Sequence, residues 1–590
     1  MRDWKSCPIR GSGKGHDMSL LRVQDLSVAF ATTRQIVQAV RGISFVIEPN
    51  ERVGLVGESG SGKTTVALAL MRMIKPPGRI SAGTAHLDTV DLLSLKGNEI
   101  RQERLRTLSY IPQGAMNALN PVLRIREQML DGLIDHGVVL DKSAADEAVA
   151  QALDGVGLPY RVANMFAHQL SGGMKQRVCI AIAIMLNPRL IIADEPTSAL
   201  DVISQRQVMK TLDNVQHRLG CALILIGHDM GLMAQVTDRV IVMRRGLIVE
   251  DAPTRQLFAT PVHAYSRELI SSVPSLSGRI GYAPTEPTAS GPVRPPLIEL
   301  DQIGKAFGGG LLHGKAKTAL HPMSMAIATG VPRIIAVVGQ SGSGKTTLAR
   351  MILGLEAPST GSIRYRGTAY AALGRTQRLD FRRNVQAIFQ DPYASFNPFY
   401  RVDRALIQPM LRFGLAHSHY DASQAARQSC VGVGLDPDEV LGRFPHELSG
   451  GQRQRLMVAR ALSLKPALIV ADEPVSMVDA SLRMSILASL SGLRREHGIS
   501  IIYITHDLAT AYQISDEVIV LHEGLIVEYG PPREVIAKPQ HPYTQALVAA
   551  IPWPDPMLDW PDITDTMTKG WDAKPVIWNM VSAARSENLA

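Results

Sequence analysis

The sequence predicts an α/β chain in which one type of domain occurs twice. Three observations lead there. First, an apolar run, a glycine-rich loop and a helix-forming stretch follow one another at VGLVG (53–57), GESGSGKTT (57–65) and TVALALMRMI. The same order returns at IIAVVG (334–339), GQSGSGKTT (339–347) and LARMILGL. Strand, glycine-rich loop and helix in that order form a phosphate-binding loop. Second, LSGGQRQRLMVARALSLKPALIVADEPVSMVD at 448–479 repeats LSGGMKQRVCIAIAIMLNPRLIIADEPTSALD at 170–201. Third, the spacing is constant: Ser171 and Ser449, Asp194 and Asp472, and His228 and His506 are each 278 positions apart.

A chain of 590 residues is too long for one core and implies two to four domains. Hydrophobic residues at 45% and charged residues at 20% are ordinary globular values. A net charge of +8 over this length is only a weak pointer to nucleic acid or an acidic membrane surface. The four cysteines, Cys7, Cys179, Cys221 and Cys430, form no CxxC pair, which fits reduced thiols rather than a disulfide or zinc framework. No apolar run approaches the ~18–20 residues of a membrane span, and the first 17 residues lack the apolar core of a secretory signal.

In chain order, residues 1–18 read as a polar tail. Its GSGKG lacks a preceding strand and a Ser or Thr after Lys14, so it is set aside. Strands are expected at 19–30 and 297–307, ending in Phe30 and Phe307. Residues 124–168 and 401–446 have helical pattern and predict a mostly helical subdomain in each half. ALILIGHD (222–229) and ISIIYITHD (499–507) read as buried strands, and VIVMRRGLIVE (240–250) and VIVLHEGLIVE (518–528) as hairpins whose three-residue turns place Gly246 and Gly524 at positive φ. Residues 274–296 are a Pro/Gly/Ser/Thr-rich linker, so the domains run 19–273 and 297–552. The stretch GGGLLHGKAKT is an extra surface loop of the second half. The tail 553–590 holds Trp553, Trp560, Trp571 and Trp578, either anchored on its own domain or free to dock a partner.

The chemistry that these residues allow is phosphate handling. Gly57, Ser59, Gly60 and Gly62, like Gly339, Ser341, Gly342 and Gly344, permit a tight loop whose N–H groups surround phosphates, with Thr65 and Thr347 in the helix that follows. Lys63 and Lys345 would reach the β- and γ-phosphates of ATP, and Thr64 and Thr346 would ligate magnesium. Asp194 and Asp472 end apolar strands, where a carboxylate can hold that ion through water; Gln113 and Gln390 are candidates to sense it. Glu195 and Glu473 are the candidates to activate the attacking water. His228 and His506 either bond the γ-phosphate or are structural, and their equal 33-residue distance from the glutamates favours function. Phe30 and Phe307 stack on adenine or belong to the core. Ser171, Gly172 and Gly173, and Ser449, Gly450, Gly451 and Gln452, open helices as N-caps and can also form an anion site.

This set of motifs resembles the ATP-binding cassette ATPases over residues 19–552, with every motif present twice. The resemblance implies P-loop domains with a RecA-like core, an antiparallel β subdomain and an α-helical subdomain. It also implies a head-to-tail arrangement in which Gly57–Thr65 faces Ser449–Gln452 across one ATP and Gly339–Thr347 faces Ser171–Met174 across the other. Asp201 and Asp479 would lie at the junction. HPYTQALVAAIP (541–552), the looser TPVHAYSRELISSVP (260–274), NALNP (117–121) and SFNP (395–398) are similar to the ATPases of bacterial dipeptide and oligopeptide importers, here with two subunits fused.

That family implies two transmembrane permeases, a substrate-binding protein and a place on the cytoplasmic face of the inner membrane. Met477 and Val478 depart from its usual Ala-Leu, and the first half lacks the cysteine cluster of many relatives, so no iron–sulfur cluster is expected. Both Glu/His pairs are intact, which implies two competent sites. Cargo other than peptides (glutathione, opines, nickel chelates, oligosaccharides) stays open. A twin-cassette ATPase acting on ribosomes or nucleic acid is disfavoured, because the linker has two Arg, no Lys and no zinc cysteines beside it.

Overall fold

The computed structural model describes residues 19–31, 36–114, 118–198, 200–273, 295–308, 316–390, 395–475, 480–561 and 563. The expected tail 1–18, nearly all of the linker, the centre of the extra loop, Met477, Val478 and Asp479, and most of the tryptophan-rich tail lie outside them. The described residues fall into two compact units, one drawn from 1–198, 208–228 and 236–266, the other from 199–207, 229–235 and 267–590.

Each unit holds two sheets. In the first, six strands run in the order Leu247–Pro253, Arg239–Arg244, Arg52–Val56, Ala222–Gly227, Leu190–Asp194 and Leu108–Ile111. All neighbours are parallel except the first pair. Strands covered on both faces read as continuous apolar runs, and Ala222–Gly227 is buried at all six positions. A four-stranded antiparallel sheet (Ile36–Ile47, Leu21–Ala31, Gly78–Leu87 and Val90–Asp91) shares a core with one face of it through Leu21, Ile43, Leu55, Leu87, Ile192 and Ile224.

The second unit repeats the design, with Val385–Ile388, Leu468–Asp472, Ser500–Thr505, Ile334–Val338, Glu517–His522 and Leu525–Gly530 in that order. Its central strand shows the two-residue period: Ile335 and Val337 face the core of the antiparallel sheet, while Ala336 and Val338 face the helices.

The helical stretches form as their patterns predict. Ile125, Met129 and Leu133 line the buried face of Ile125–Asp135, and Asp141 caps Lys142–Asp154 by accepting from the Ala144 N–H at 2.8 Å.

Two expectations need correction, and two strands were not foreseen. The helix after each loop is short, Lys63–Leu70 and Lys345–Ile352, rather than running on through Arg72 and Met73. The hairpin turns hold two residues, not three: Arg244 pairs with Leu247 and His522 with Leu525. Arg245 (φ 50°) shares the left-handed region with Gly246 (82°), as does Glu523 (46°) with Gly524 (80°), which is the twist that matches the strands. Leu108–Ile111 and Val385–Ile388 are edge strands that four-residue runs did not announce.

Candidate active sites

Both sites sit at the carboxyl ends of the parallel strands, where loops leave the sheet. Gly57 and Gly339 carry the chain off the central strand at φ 151° and 152°. A β-carbon there would lie 2.2 Å from the Met243 carbonyl or 2.1 Å from that of Leu521, so no other residue fits. Ser59, Gly60, Ser341 and Gly342 form the exposed crest of each loop. Gly62 and Gly344, both at φ 104°, begin the helices, with Thr65 and Thr347 half-buried in the first turn.

The two lysines are folded into their loops. Lys63 Nζ donates to the carbonyls of Gly57 (2.7 Å) and Glu58 (2.8 Å), and Lys345 Nζ to those of Gly339 and Gln340 (both 2.7 Å). Each is 6% exposed. Burial lowers the proton affinity of Lys345, against the pull of Glu473 and Asp472.

The strand-end carboxylates divide into two kinds. Asp194 and Asp472 are pushed up by burial, whereas Glu195 and Glu473 end low, because hydrogen bonds and charge from His228 or His506 and the charge of the lysine outweigh burial. Glu195 Oε1 lies 3.2 Å from His228 Nδ1 while Gln113 Nε2 donates to its Oε2 at 2.6 Å. Glu473 has His506 at 3.1 Å and Gln390 at 2.9 Å in the same positions. The proton affinity of His506 is lowered by burial and raised more by Glu473. Both glutamates stand at left-handed φ, 44° and 48°, a conformation that costs energy outside glycine and aims each side chain off the strand end. Thr64 Oγ1 donates to Asp194 Oδ1 at 3.2 Å, and Thr346 bonds Asp472.

Ser171 and Ser449 cap their helices by accepting from the N–H groups of Met174 (3.3 Å) and Gln452 (3.2 Å). Gln452 Oε1 returns a bond to the Ser449 N–H at 3.0 Å. Gly172, Gly173, Gly450 and Gly451 make up the first turns. Asp201 caps the helix Val202–Leu219 through the N–H and hydroxyl of Ser204, both at 3.0 Å. Phe30 packs half-buried against Gly78, and Phe307 is exposed beside Lys305. In the second unit Trp560 stacks on Arg206 at 3.9 Å, and Gln235 donates to the carbonyl of Trp553.

Sequence reasoning missed Tyr110, whose hydroxyl donates to Asp194 Oδ2 at 3.0 Å. Ala387 takes that place in the second half, three residues before Gln390 as Tyr110 is before Gln113, so the two sites differ. The one signal was a phenol within the short run Leu108–Ile111. Tyr110→Phe takes one donor from a fully buried carboxylate and is expected to cost about 1–3 kcal/mol. Thermal unfolding checks this: an unchanged melting temperature removes the bond from the account of stability.

The ABC transporter family profile matches residues 40–198 and 320–476, and that of the oligopeptide/dipeptide transporter C-terminal region matches 249–307 and 527–570. This chain therefore belongs to the ABC transporter family, as a fused pair of ATP-binding, ATP-hydrolysing cassettes. It is similar along almost its whole length to glutathione import ATP-binding proteins GsiA. That of Salmonella choleraesuis (strain SC-B67) is 37% identical over 91% of this chain and 90% of its own. That of Escherichia coli (strain K12) is 36% identical with the same coverage. A dimeric cassette, MJ0796 in a post-hydrolysis state with ADP and Pi, aligns over 40% of this chain and 99% of its own at 26% identity and a TM-score of 0.37. No helix among the described residues is long and apolar enough to cross a membrane.

Proposed function

We propose that this chain is the energy-coupling ATPase of a bacterial peptide-type importer, working with two membrane permeases and a substrate-binding protein at the cytoplasmic face of the inner membrane. The observation that carries it is the carboxylate–histidine–glutamine cluster, built twice with the same atoms in the same roles. Glu195 and Glu473 are ionised carboxylates held between a histidine and an amide, so each can accept a proton from water placed beside it. Lys63 and Lys345 exchange their loop carbonyls for phosphate oxygens. Thr64 with Asp194, and Thr346 with Asp472, offer a hydroxyl beside a carboxylate, an all-oxygen pair that fits magnesium. That ion would neutralise charge on the phosphates.

The permease contacts belong near Gln113–Pro121 and Gln390–Pro398. Beside the second of these lies a groove of about 550 Å³ lined by Phe396, Tyr400 and Pro409, with Arg404, Gln408 and Arg412 exposed along its helix. Arg460 of the helix capped by Ser449 lies 5.7 Å from the ring of Phe396 and donates to the Ser395 carbonyl at 3.1 Å. In the first half the matching positions are Glu127, Asp131 and Asp135, also exposed, so the two halves would suit permease segments of opposite charge. Photocrosslinkers at Asp131 and Gln408 are expected to capture different permeases; capture of the same one from both positions refutes the selectivity.

Glutathione, a small peptide and the cargo in the relatives' names, is the first to try. Reconstituted with the permeases encoded beside it, the chain is expected to hydrolyse ATP faster when the binding protein carries glutathione or a short peptide. Stimulation by neither refutes the peptide reading.

A further inference from the structure

The oligopeptide-type C-terminal region has no role in the chemistry above, yet it reaches the phosphate loop in both halves. Tyr265 and Tyr543 are each 1% exposed. The Tyr265 hydroxyl accepts from the Glu58 N–H at 2.8 Å, and the Tyr543 hydroxyl from the Gln340 N–H at 2.8 Å. Glu58 and Gln340 are the residues whose carbonyls hold the lysines. One peptide unit on each side of the same residue is thus pinned, the N–H by a tyrosine and the C=O by the lysine.

The tyrosines are themselves held from behind. His263 Nδ1 accepts from the Tyr265 N–H and His541 Nδ1 from the Tyr543 N–H, both at 3.1 Å. The preceding turns are fixed by Glu250, which accepts from the N–H groups of Val262 and His263, and by Glu528, which accepts from those of Gln540 and His541. Arg244 lies 4.5 Å from the Tyr265 ring, and at the matching place His522 lies 4.0 Å from that of Tyr543.

We propose that Tyr265 and Tyr543 are positioning residues: through the C-terminal region they hold the phosphate loop in its binding shape while the lysine leaves the loop carbonyls for ATP. With the lysine gone, the tyrosine still anchors that residue through its N–H. Without it the loop is free to relax between turnovers, and ATP binding has to reorder it.

The proposal rests on the reading of 57–65 and 339–347 as nucleotide loops, and the test separates the two. In the full chain, Tyr265→Phe combined with Tyr543→Phe keeps both rings and removes both acceptors. The expected result is a rise of about five- to tenfold in KM for ATP with kcat little changed, and faster amide exchange in the segments 52–61 and 334–343. Unchanged KM and exchange overturn the proposal, and so does a lowered melting temperature with unchanged KM, which makes the bonds merely structural. If the double variant does not fold, each single variant is read in the same way. Lys63→Ala with Lys345→Ala is the control: undiminished ATP affinity there overturns the loop reading itself, whereas a defect there beside silent tyrosine variants overturns only the tether.

Discussion

Glu195→Gln combined with Glu473→Gln is expected to lower steady-state ATP hydrolysis by about 10²–10⁴-fold while ATP still binds. Each carboxylate has one oxygen facing a histidine and the other accepting from a glutamine, and each is held low in proton affinity. Glutamine has the same shape, keeps one acceptor and cannot take a proton at neutral pH. It also has to adopt the same left-handed backbone, so the loop is not otherwise altered. Glu473→Gln alone should stop turnover at its own site. Hydrolysis and nucleotide binding measured on the same preparation decide the matter, and unchanged turnover in the double variant removes the general-base role.

Lys63→Ala is expected to weaken ATP binding at the first site by about 10- to 150-fold, the equivalent of ~1.5–3 kcal/mol for hydrogen bonds to a charged group. Lys345→Ala should do the same at the second. The ammonium is buried, and in this structure it is satisfied by two loop carbonyls. Alanine removes the ammonium from those carbonyls and leaves the phosphates without a cation. Titration with nucleotide reads the effect directly; equal affinity in the variant withdraws the assignment.

The candidate sites were legible because their chemistry lies in contiguous stretches with local conformational demands. A loop that passes 2.2 Å from a carbonyl at the would-be β-carbon must have glycine at that point, and GESGSGKTT records this. Ser171 and Ser449 cap helices with the bonds that LSGG spacing allows. The run lengths of Leu190–Asp194 and Leu468–Asp472 announce strands ending in carboxylates. The edge strands Leu108–Ile111 and Val385–Ile388 were not legible, since four residues, interrupted by Ser109 and by Gln386, lack enough period to tell strand from helix. Nor was the turn register, because Arg245 and Glu523 adopt left-handed φ only under the twist of the paired strands.

By itself the sequence determined that this protein is a doubled phosphate-loop ATPase and which lysine, threonine, aspartate, glutamate and histidine each half offers as candidates for its site. These follow from residue type and spacing alone, since a short loop or helix turn fixes neighbours within a few positions. Tertiary structure alone decided which distant groups complete them. The bond from Gln340 to Tyr543 spans 203 positions and that from Tyr110 to Asp194 spans 84. No local preference encodes such a meeting. It arises when the parallel strands take their order in the sheet and bring the C-terminal helix against the phosphate loop.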